Sequence, residues 1–333
     1  MRTLTAFLLT ALFSVSVFAE STSLLRYDGG EIETPYWFKE SFLDIEDDLA
    51  EAEEEDKRLM LYFHQAGCPY CYNMVQQNFL DPQLSAFIQE KFDVLALDLW
   101  GDREVTLSDG EAFTEKDLAA KLKIQYTPTL IFLNRDGSVQ LRIDGYRPKP
   151  VFSQILDYVL SGQTEGGLAH QLIQKSSDST LYPQPFILQT RDLSSLKGKP
   201  VAVLLEYPGC EDCDAMHRHA IARKSVHTEF EKFAVVRFDV TETQPLMLPS
   251  GVVTTPSKWV KELGITYYPS IVLLDAEGAE QHRIGGYVQS FHLATSLEYV
   301  SAKGYSKFPE FQRFLNDRAD RLREAGEKVV ITE

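Results

Sequence analysis

Short apolar runs recur along this chain, and each is bounded by polar or turn-forming residues. The runs RLMLYFH at 58–64, DVLALDL at 93–99 and TLIFLN at 129–134 have the length and composition of buried strands. Segments of helical spacing separate them. One of these segments begins at Asp81–Pro82, where the aspartate can cap a helix and the proline fits its first turn. The pattern predicts an α/β fold.

The pattern occurs twice. Sliding the chain against itself by 141 or 142 residues places the strand-like runs at 200–207, 233–240 and 270–275 on those of the first half. The same shift aligns single residues: Cys68 and Cys71 with Cys210 and Cys213, Asp98 with Asp239, Pro128 with Pro269, and Gly145–Tyr146 with Gly286–Tyr287. This alignment of the chain with itself indicates two copies of one domain. We therefore expect each copy to form a central mixed sheet flanked by helices.

The domain limits follow from composition. A stretch rich in Ser, Pro and Gly spans 176–200, so we predict a first domain at 20–175 and a second at 176–333. The second domain contains FQRFLNDRADRLREAG (311–326), which predicts a terminal helix followed by a tail.

The first nineteen residues are typical of a secretory signal peptide. Arg2 precedes a mostly apolar run from Leu4 to Phe18, and Ala19 ends a small-residue cleavage pattern. The run is short for a membrane span, which needs about 20 apolar residues. We expect cleavage near Ala19, a periplasmic or secreted location and no stable membrane insertion. An uncleaved N-terminal anchor is the alternative.

The charge balance is acidic, with 33 Lys and Arg against 49 Asp and Glu and a formal net charge of −16. Such a surface repels phosphate backbones, which argues against a nucleic-acid partner. Many of the acids lie in DIEDDLAEAEEED (44–56), where we predict a helix with a solvated acidic face and no special function.

The four cysteines form two Cys-x-x-Cys pairs, in AGCPYCYNM (66–74) and PGCEDCDAM (208–216). Two cysteines at this spacing at the start of a helix can form a small disulfide ring. The helix N-terminus favours a thiolate on the first sulfur, which makes Cys68 the expected nucleophile and Cys71 the resolving thiol.

A proline precedes the last two predicted strands, which form a hairpin, in both copies: Pro128 in the first and Pro269 in the second. A cis peptide bond there would lay a strand edge beside the sulfur, where a client chain could bind.

Together, the Cys-x-x-Cys after a strand, the Thr127–Pro128 before TLIFLNRDG and the Gly-Tyr before the last helix resemble the thioredoxin fold. The first copy, roughly 36–165, most resembles exported thioredoxins of the SoxW type, through WFKESFLDIEDDLAEA and KRLMLYFHQAGCPYC. The resemblance implies periplasmic thiol–disulfide exchange and a tandem thioredoxin-like architecture. It implies catalytic cysteines and client-binding residues in both copies: Cys68, Cys71, Cys210 and Cys213, and Tyr70, Thr127, Pro128, Tyr268 and Pro269.

The chain departs from that family beside the first cysteine of each pair. Many thioredoxins keep a buried acid six residues before it, where this chain has Tyr62 and Leu204. Four residues before it stand His64 and Glu206, which are candidates for proton transfer, although a solvent-facing polar strand end is the simpler expectation. His282 and His292 suggest ordinary surface positions.

Other interpretations of the cysteines stay open. They could form two structural disulfides, although a two-residue separation closes almost no loop. Cys210 and Cys213, with His217 and His219, could bind zinc or deliver a metal. Neither motif is followed directly by His, which excludes covalent haem attachment on pattern. The chain could also bind clients without turnover, as a holdase or adaptor.

The predicted function is an exported thiol–disulfide oxidoreductase that acts on client proteins carrying thiols or disulfides. It requires no cofactor, because sulfur carries both electrons, but it does require a redox partner. The carboxylates of Glu211 and Asp212 disfavour a nearby thiolate, whereas Pro69–Tyr70 adds no charge. We therefore expect electrons to pass from the second copy to the first.

Overall fold

The computed structural model describes Leu25, Tyr27, residues 29–162, Leu168 and residues 180–330. The predicted signal peptide with its cleavage point at Ala19 lies outside the described residues, and so does the predicted domain boundary near residue 176. Both stay predictions.

The first copy alternates strands and helices in the predicted order. Its elements are α1 (Ile45–Glu54), β1 (Arg58–His64), α2 (Pro69–Asn73) continued by a π-helical turn (Met74–Phe79), α3 (Pro82–Lys91), β2 (Phe92–Asp98), β3 (Glu104–Thr106), β4 (Ala112–Thr114), α4 (Glu115–Lys121), β5 (Thr129–Leu133), β6 (Val139–Asp144) and α5 (Lys149–Leu160). The main sheet has the order β2-β1-β5-β6. Strands β1 and β2 are parallel, and the other two pairings are antiparallel.

The second copy repeats this architecture. Its elements are a 3₁₀ turn (Leu193–Leu196), β7 (Val201–Glu206), α6 (Glu211–Ala215) continued by a π-helical turn (Met216–Ile221), α7 (Lys224–Phe230), β8 (Ala234–Asp239), β9 (Leu246–Met247), β10 (Val253–Thr254), α8 (Pro256–Glu262), β11 (Ser270–Leu274), β12 (Glu280–Gly285), α9 (Ser290–Ser301), a 3₁₀ turn (Gly304–Ser306) and α10 (Phe311–Glu324). Its main sheet has the matching order β8-β7-β11-β12, with β7 and β8 parallel. The predicted fold class is confirmed: two tandem α/β domains, each with a mixed sheet flanked by helices.

Local sequence signals set several helix starts. Asp81 accepts hydrogen bonds from the backbone N–H groups of Gln83 and Leu84, and Pro82 follows it in the first turn of α3. Thr114 and Thr255 cap α4 and α8 in the same way. Across the described ranges, no helix combines the length and the apolar character that a membrane crossing requires.

The two copies meet through Tyr126, which immediately precedes the Thr127–Pro128 pair. Its ring belongs to the helix-side core of the second copy, packing against Phe311 with ring centroids 5.2 Å apart. Its hydroxyl forms hydrogen bonds with the His282 ring and with Ser296. The burial of one aromatic side chain of this size contributes about 2 to 3 kcal/mol of free energy, so this contact helps substantially to hold the two copies together.

Two histidines lie in this interface, which corrects the expectation that they are surface residues. His282 in β12 and His292 in α9 are only 4% and 8% exposed. Burial lowers the pKa of His282 to about 3 and that of His292 to about 4. The sequence did not indicate this, because part of the surface that covers them, at Tyr126 and Tyr70, belongs to the other copy.

These histidines should make the protein sensitive to acid. Both stay neutral in the folded chain, while the unfolded chain binds their protons below about pH 6.5. Stability should therefore fall as the pH drops from 6.5 toward 4, by about 1.4 kcal/mol per pH unit for each histidine. Chemical unfolding at a series of pH values would measure this slope, and His292→Phe should reduce it by one histidine's share.

His227→Gln is the matched control, because it removes an exposed histidine that lies outside the interface. A slope in His292→Phe equal to that of the parent protein would contradict the prediction.

Candidate active site

The first cysteine pair lies where β1 ends and α2 begins. Cys68 is the N-cap of α2, with Pro69 in the first turn, and its Sγ accepts the backbone N–H of Cys71 at 3.0 Å. The two cysteines form a disulfide, and Cys68 is 5% exposed. On reduction, the same N–H and the helix N-terminus would stabilise negative charge on Cys68 Sγ.

The segment before β5 supplies a second contact to this sulfur. The Thr127 hydroxyl oxygen lies 3.3 Å from Cys68 Sγ, and the Thr127 carbonyl oxygen lies 3.4 Å from it. The Thr127–Pro128 bond is cis, as the resemblance implies. Thr127 therefore lies directly beside the Cys68 sulfur, and Pro128 follows it through the cis bond.

The second pair has the same local geometry. Cys210 caps α6, its Sγ accepts the backbone N–H of Cys213 at 3.1 Å, and the two cysteines form a disulfide. The Tyr268–Pro269 bond is also cis. The Tyr268 ring is buried and packs edge-to-face on Tyr207, so its side chain lies in the core rather than on an open edge.

The acids of the second motif differ in their surroundings. Glu211 is exposed, whereas Asp212 accepts a hydrogen bond from the Tyr267 hydroxyl at 2.7 Å. The Arg147 guanidinium of the first copy stacks 4.5 Å from the centre of the Tyr267 ring and donates to the Gly285 carbonyl. Burial lowers the pKa of Arg147 and raises that of Tyr267. Asp212 is therefore linked through Tyr267 to the other copy.

Both motifs border one cleft between the copies, with a volume of about 900 Å³. Cys68, Pro69 and Tyr70 line it from the first copy, and Glu211 and Asp212 line it from the second. The acidic residues of the second motif therefore face the same cleft as Cys68.

Tyr70 takes a different position from the one expected. Its place between the two cysteines predicts a position near an exposed disulfide ring, yet Tyr70 is partly buried, and its side chain packs edge-to-face on His292 with ring centroids 5.2 Å apart. Burial also raises the pKa of its hydroxyl. Tyr70 is part of the cleft wall, so any contact with a client would occur inside the cleft.

Glu206 at the end of β7 is buried, and the expectation that it faces solvent is wrong, whereas His64 at the end of β1 is half-buried. Glu206 is 1% exposed, lies 2.8 Å from His217 Nε2 and has Arg237 at 3.5 Å. His64 stacks on Tyr62, and burial lowers its pKa. The repeat pairs these two positions, but only the second copy builds an ion-pair network around its residue.

The same network bears on the metal-site interpretation. His217 directs Nε2 to Glu206 and Nδ1 to the Gln184 side chain, at 2.8 and 3.0 Å. Both ring nitrogens therefore have protein partners. Among the described residues, no group of three or more His, Cys, Asp or Glu side chains is arranged to hold a metal ion.

Several residues around the two motifs were not anticipated: Gln65, Trp100, Tyr126, Arg147, Tyr267 and Gln312. A signal existed for two of them, because the shift of 141 residues aligns Tyr126 with Tyr267. Arg147 aligns with Val288 and had no such signal.

Comparisons with known proteins give the following relatives. A thioredoxin-fold protein from Helicobacter pylori is 22% identical, over 37% of this chain and 77% of that chain, with a TM-score of 0.30. A thioredoxin from Thermus thermophilus is 25% identical, over 40% of this chain and 95% of that chain, with a TM-score of 0.29. The periplasmic thioredoxin SoxS from Paracoccus pantotrophus is 19% identical, over 32% and 99%, with a TM-score of 0.24. No protein with a curated description matches the chain.

The sequence profile of the thioredoxin-like domain matches this chain twice, at residues 45–160 and 190–301, which together are more than half of its length. Each match contains one Cys-x-x-Cys disulfide and one cis-proline. The chain belongs to the thioredoxin-like family, as a tandem of two such domains.

Proposed function

We propose that this protein is an exported thiol–disulfide oxidoreductase that reduces disulfides of client proteins at Cys68–Cys71. The observation that carries the proposal is the placement of Cys68 Sγ. It lies at a helix N-terminus within reach of the Cys71 N–H and the Thr127 hydroxyl, and it borders a cleft. Those donors favour the thiolate that attacks a disulfide.

The exchange conserves atoms and electrons. The Cys68 thiolate attacks one sulfur of a client disulfide, which forms a mixed disulfide and releases the other client sulfur as a thiolate. Cys71 then loses its proton and attacks Cys68 Sγ, which releases the second client thiolate and forms the Cys68–Cys71 disulfide. The client gains two electrons, and the first domain loses them.

The second domain is proposed as the internal electron donor. Its reduced Cys210–Cys213 pair would reduce the first pair by the same exchange, and a dithiol of a separate redox partner would then restore Cys210–Cys213. Two observations support this order: Glu211 and Asp212 line the same cleft as Cys68, and carboxylates flank only the second pair. Three acids, Glu211, Asp212 and Asp214, stand in the first turn of α6.

Export is proposed from the N-terminal sequence. Its charged start, apolar run and small residues before position 20 have the organisation of a secretory signal. An oxidising compartment is also where a client disulfide would persist long enough to need an enzyme.

Cys71→Ser should trap clients covalently. Without the resolving thiol, the mixed disulfide at Cys68 persists, so client proteins should co-purify with the variant in complexes that a reducing agent dissolves. Non-reducing electrophoresis followed by mass spectrometry would identify them. The parent protein should also reduce insulin in the presence of a dithiol donor.

Cys68→Ser/Cys71→Ser is the matched control and should trap nothing covalently. The absence of mixed disulfides in Cys71→Ser, together with the absence of insulin reduction, would exclude catalysis at this pair. Clients that bind the double variant equally well would instead favour a holdase or adaptor.

The two pairs should differ in reduction potential, with Cys210–Cys213 the more reducing. Carboxylates near Cys210 disfavour its thiolate and so favour the disulfide. Equilibration of the full-length protein in dithiol buffers, with each pair followed by mass spectrometry, would measure both potentials. Removing one acid in Glu211→Gln should raise the second potential by about 15 mV, roughly a threefold change in the equilibrium constant.

Glu231→Gln, a change of an exposed acid on the far end of α7, is the control and should move neither potential. Equal potentials, or a more oxidising second pair, would contradict the proposed direction of electron flow.

A further inference from the structure

A chain of four side chains connects the terminal helix α10 of the second domain to the reactive sulfur of the first. Its links are Gln312, Gln65, Thr127 and Cys68. Donor and acceptor roles along this chain are fixed by two neighbouring groups that can act in only one way, the Trp100 indole N–H and the Gln125 carbonyl.

Trp100 fixes the orientation of the Gln65 amide. Its indole Nε1–H can only donate, and it donates to Gln65 Oε1 at 2.8 Å. The Gln65 amide nitrogen must therefore face the other way. It donates to Thr127 Oγ1 at 2.9 Å and to Gln312 Oε1 at 3.0 Å, which uses both of its N–H groups.

The backbone of the first domain fixes Gln312 in turn. The Gln125 carbonyl can only accept, and it accepts from Gln312 Nε2 at 3.0 Å. The backbone N–H of Phe311 also donates to the Gln125 side chain at 3.0 Å. The start of α10 is therefore docked on the residues just before Thr127, and Gln312 must present its oxygen to Gln65.

These fixed roles determine where the single proton of the Thr127 hydroxyl can point. Its oxygen already accepts from Gln65, which leaves the O–H free to point at Cys68 Sγ, 3.3 Å away. A hydroxyl that donates to sulfur stabilises the thiolate more than the neutral thiol.

The second domain lacks this arrangement. The repeat places Tyr207 at the position of Gln65 and Tyr268 at that of Thr127, and the two rings pack on each other. The first site, and not the second, therefore has a hydroxyl that the other domain orients toward the cysteine sulfur.

We propose that Gln312 is a positioning residue of the first active site, through which docking of the second domain raises the reactivity of Cys68. The inference rests on the proposed function for its biological meaning and refines how that site is regulated. Gln312 has no hydrogen bond to the Cys68 sulfur, and it acts through Gln65 and Thr127.

The test is a set of variants in the full-length reduced protein. The rate at which iodoacetamide alkylates Cys68 is followed across pH by mass spectrometry of its peptide, which gives the thiol pKa. Gln312→Leu, close in shape but without polar atoms, should raise that pKa and slow alkylation at neutral pH by about threefold. Thr127→Val should slow it by about tenfold. Thr127→Ser, which keeps the hydroxyl, should restore most of the rate.

The double variant Thr127→Val/Gln312→Leu distinguishes an effect of Gln312 through the Thr127 hydroxyl from a general disturbance of the structure. If Gln312 acts through the Thr127 hydroxyl, adding Gln312→Leu to Thr127→Val should have no further effect. The Cys210–Cys213 potential in the same samples serves as an internal control and should not move. Asp320→Ala, an exposed change further along α10, should leave Cys68 reactivity unchanged.

The proposal is overturned if Gln312→Leu leaves the pKa of Cys68 at its parent value, or if its effect persists in the Thr127→Val background. Neither readout uses a client. A chain without reductase activity would therefore defeat the proposed function, while the link from Gln312 to Cys68 would still be judged by alkylation alone.

Discussion

The burial of Tyr126 in the second copy constrains the rest of this structure. Its ring fills part of the helix-side core of that copy, and its hydroxyl bonds His282 and Ser296. The next residue, Thr127, contacts the Cys68 sulfur. Because one backbone step separates the two, the first site and the interface cannot be arranged independently. The docking of α10 on Gln125 and the packing of Tyr70 on His292 lie in the same interface.

Residues of both copies also determine the charges around the second dithiol. The acids of the second motif have different roles, since Asp212 is held by Tyr267 and only Glu211 stands free in solvent. Arg147 stacks on Tyr267 from the first copy, and no carboxylate among the described residues lies close enough to form an ion pair with it. A buried positive charge between the two sites offsets part of the repulsion that the motif alone suggests.

The sequence predicted the fold well and the site only in part, for one physical reason. Apolar periodicity and capping residues report how a domain buries its own core, so the strands, the caps at Asp81 and Thr114 and the repeat could be recognised. Burial at an interface depends on a surface distant in sequence, which is why His282 and His292 were taken for surface residues. The pairing of Glu206 with His217 was missed because neither residue has a counterpart of its type in the first copy.

The shared core has a consequence for how such a chain can evolve. A duplicated domain begins as an interchangeable module, and either copy can be lost or recombined without harm to the other. Once Tyr126 became part of its neighbour's interior, excision of one copy would expose an aromatic surface on the other and leave a hole in a packed core. The shared core therefore disfavours the loss of either copy alone.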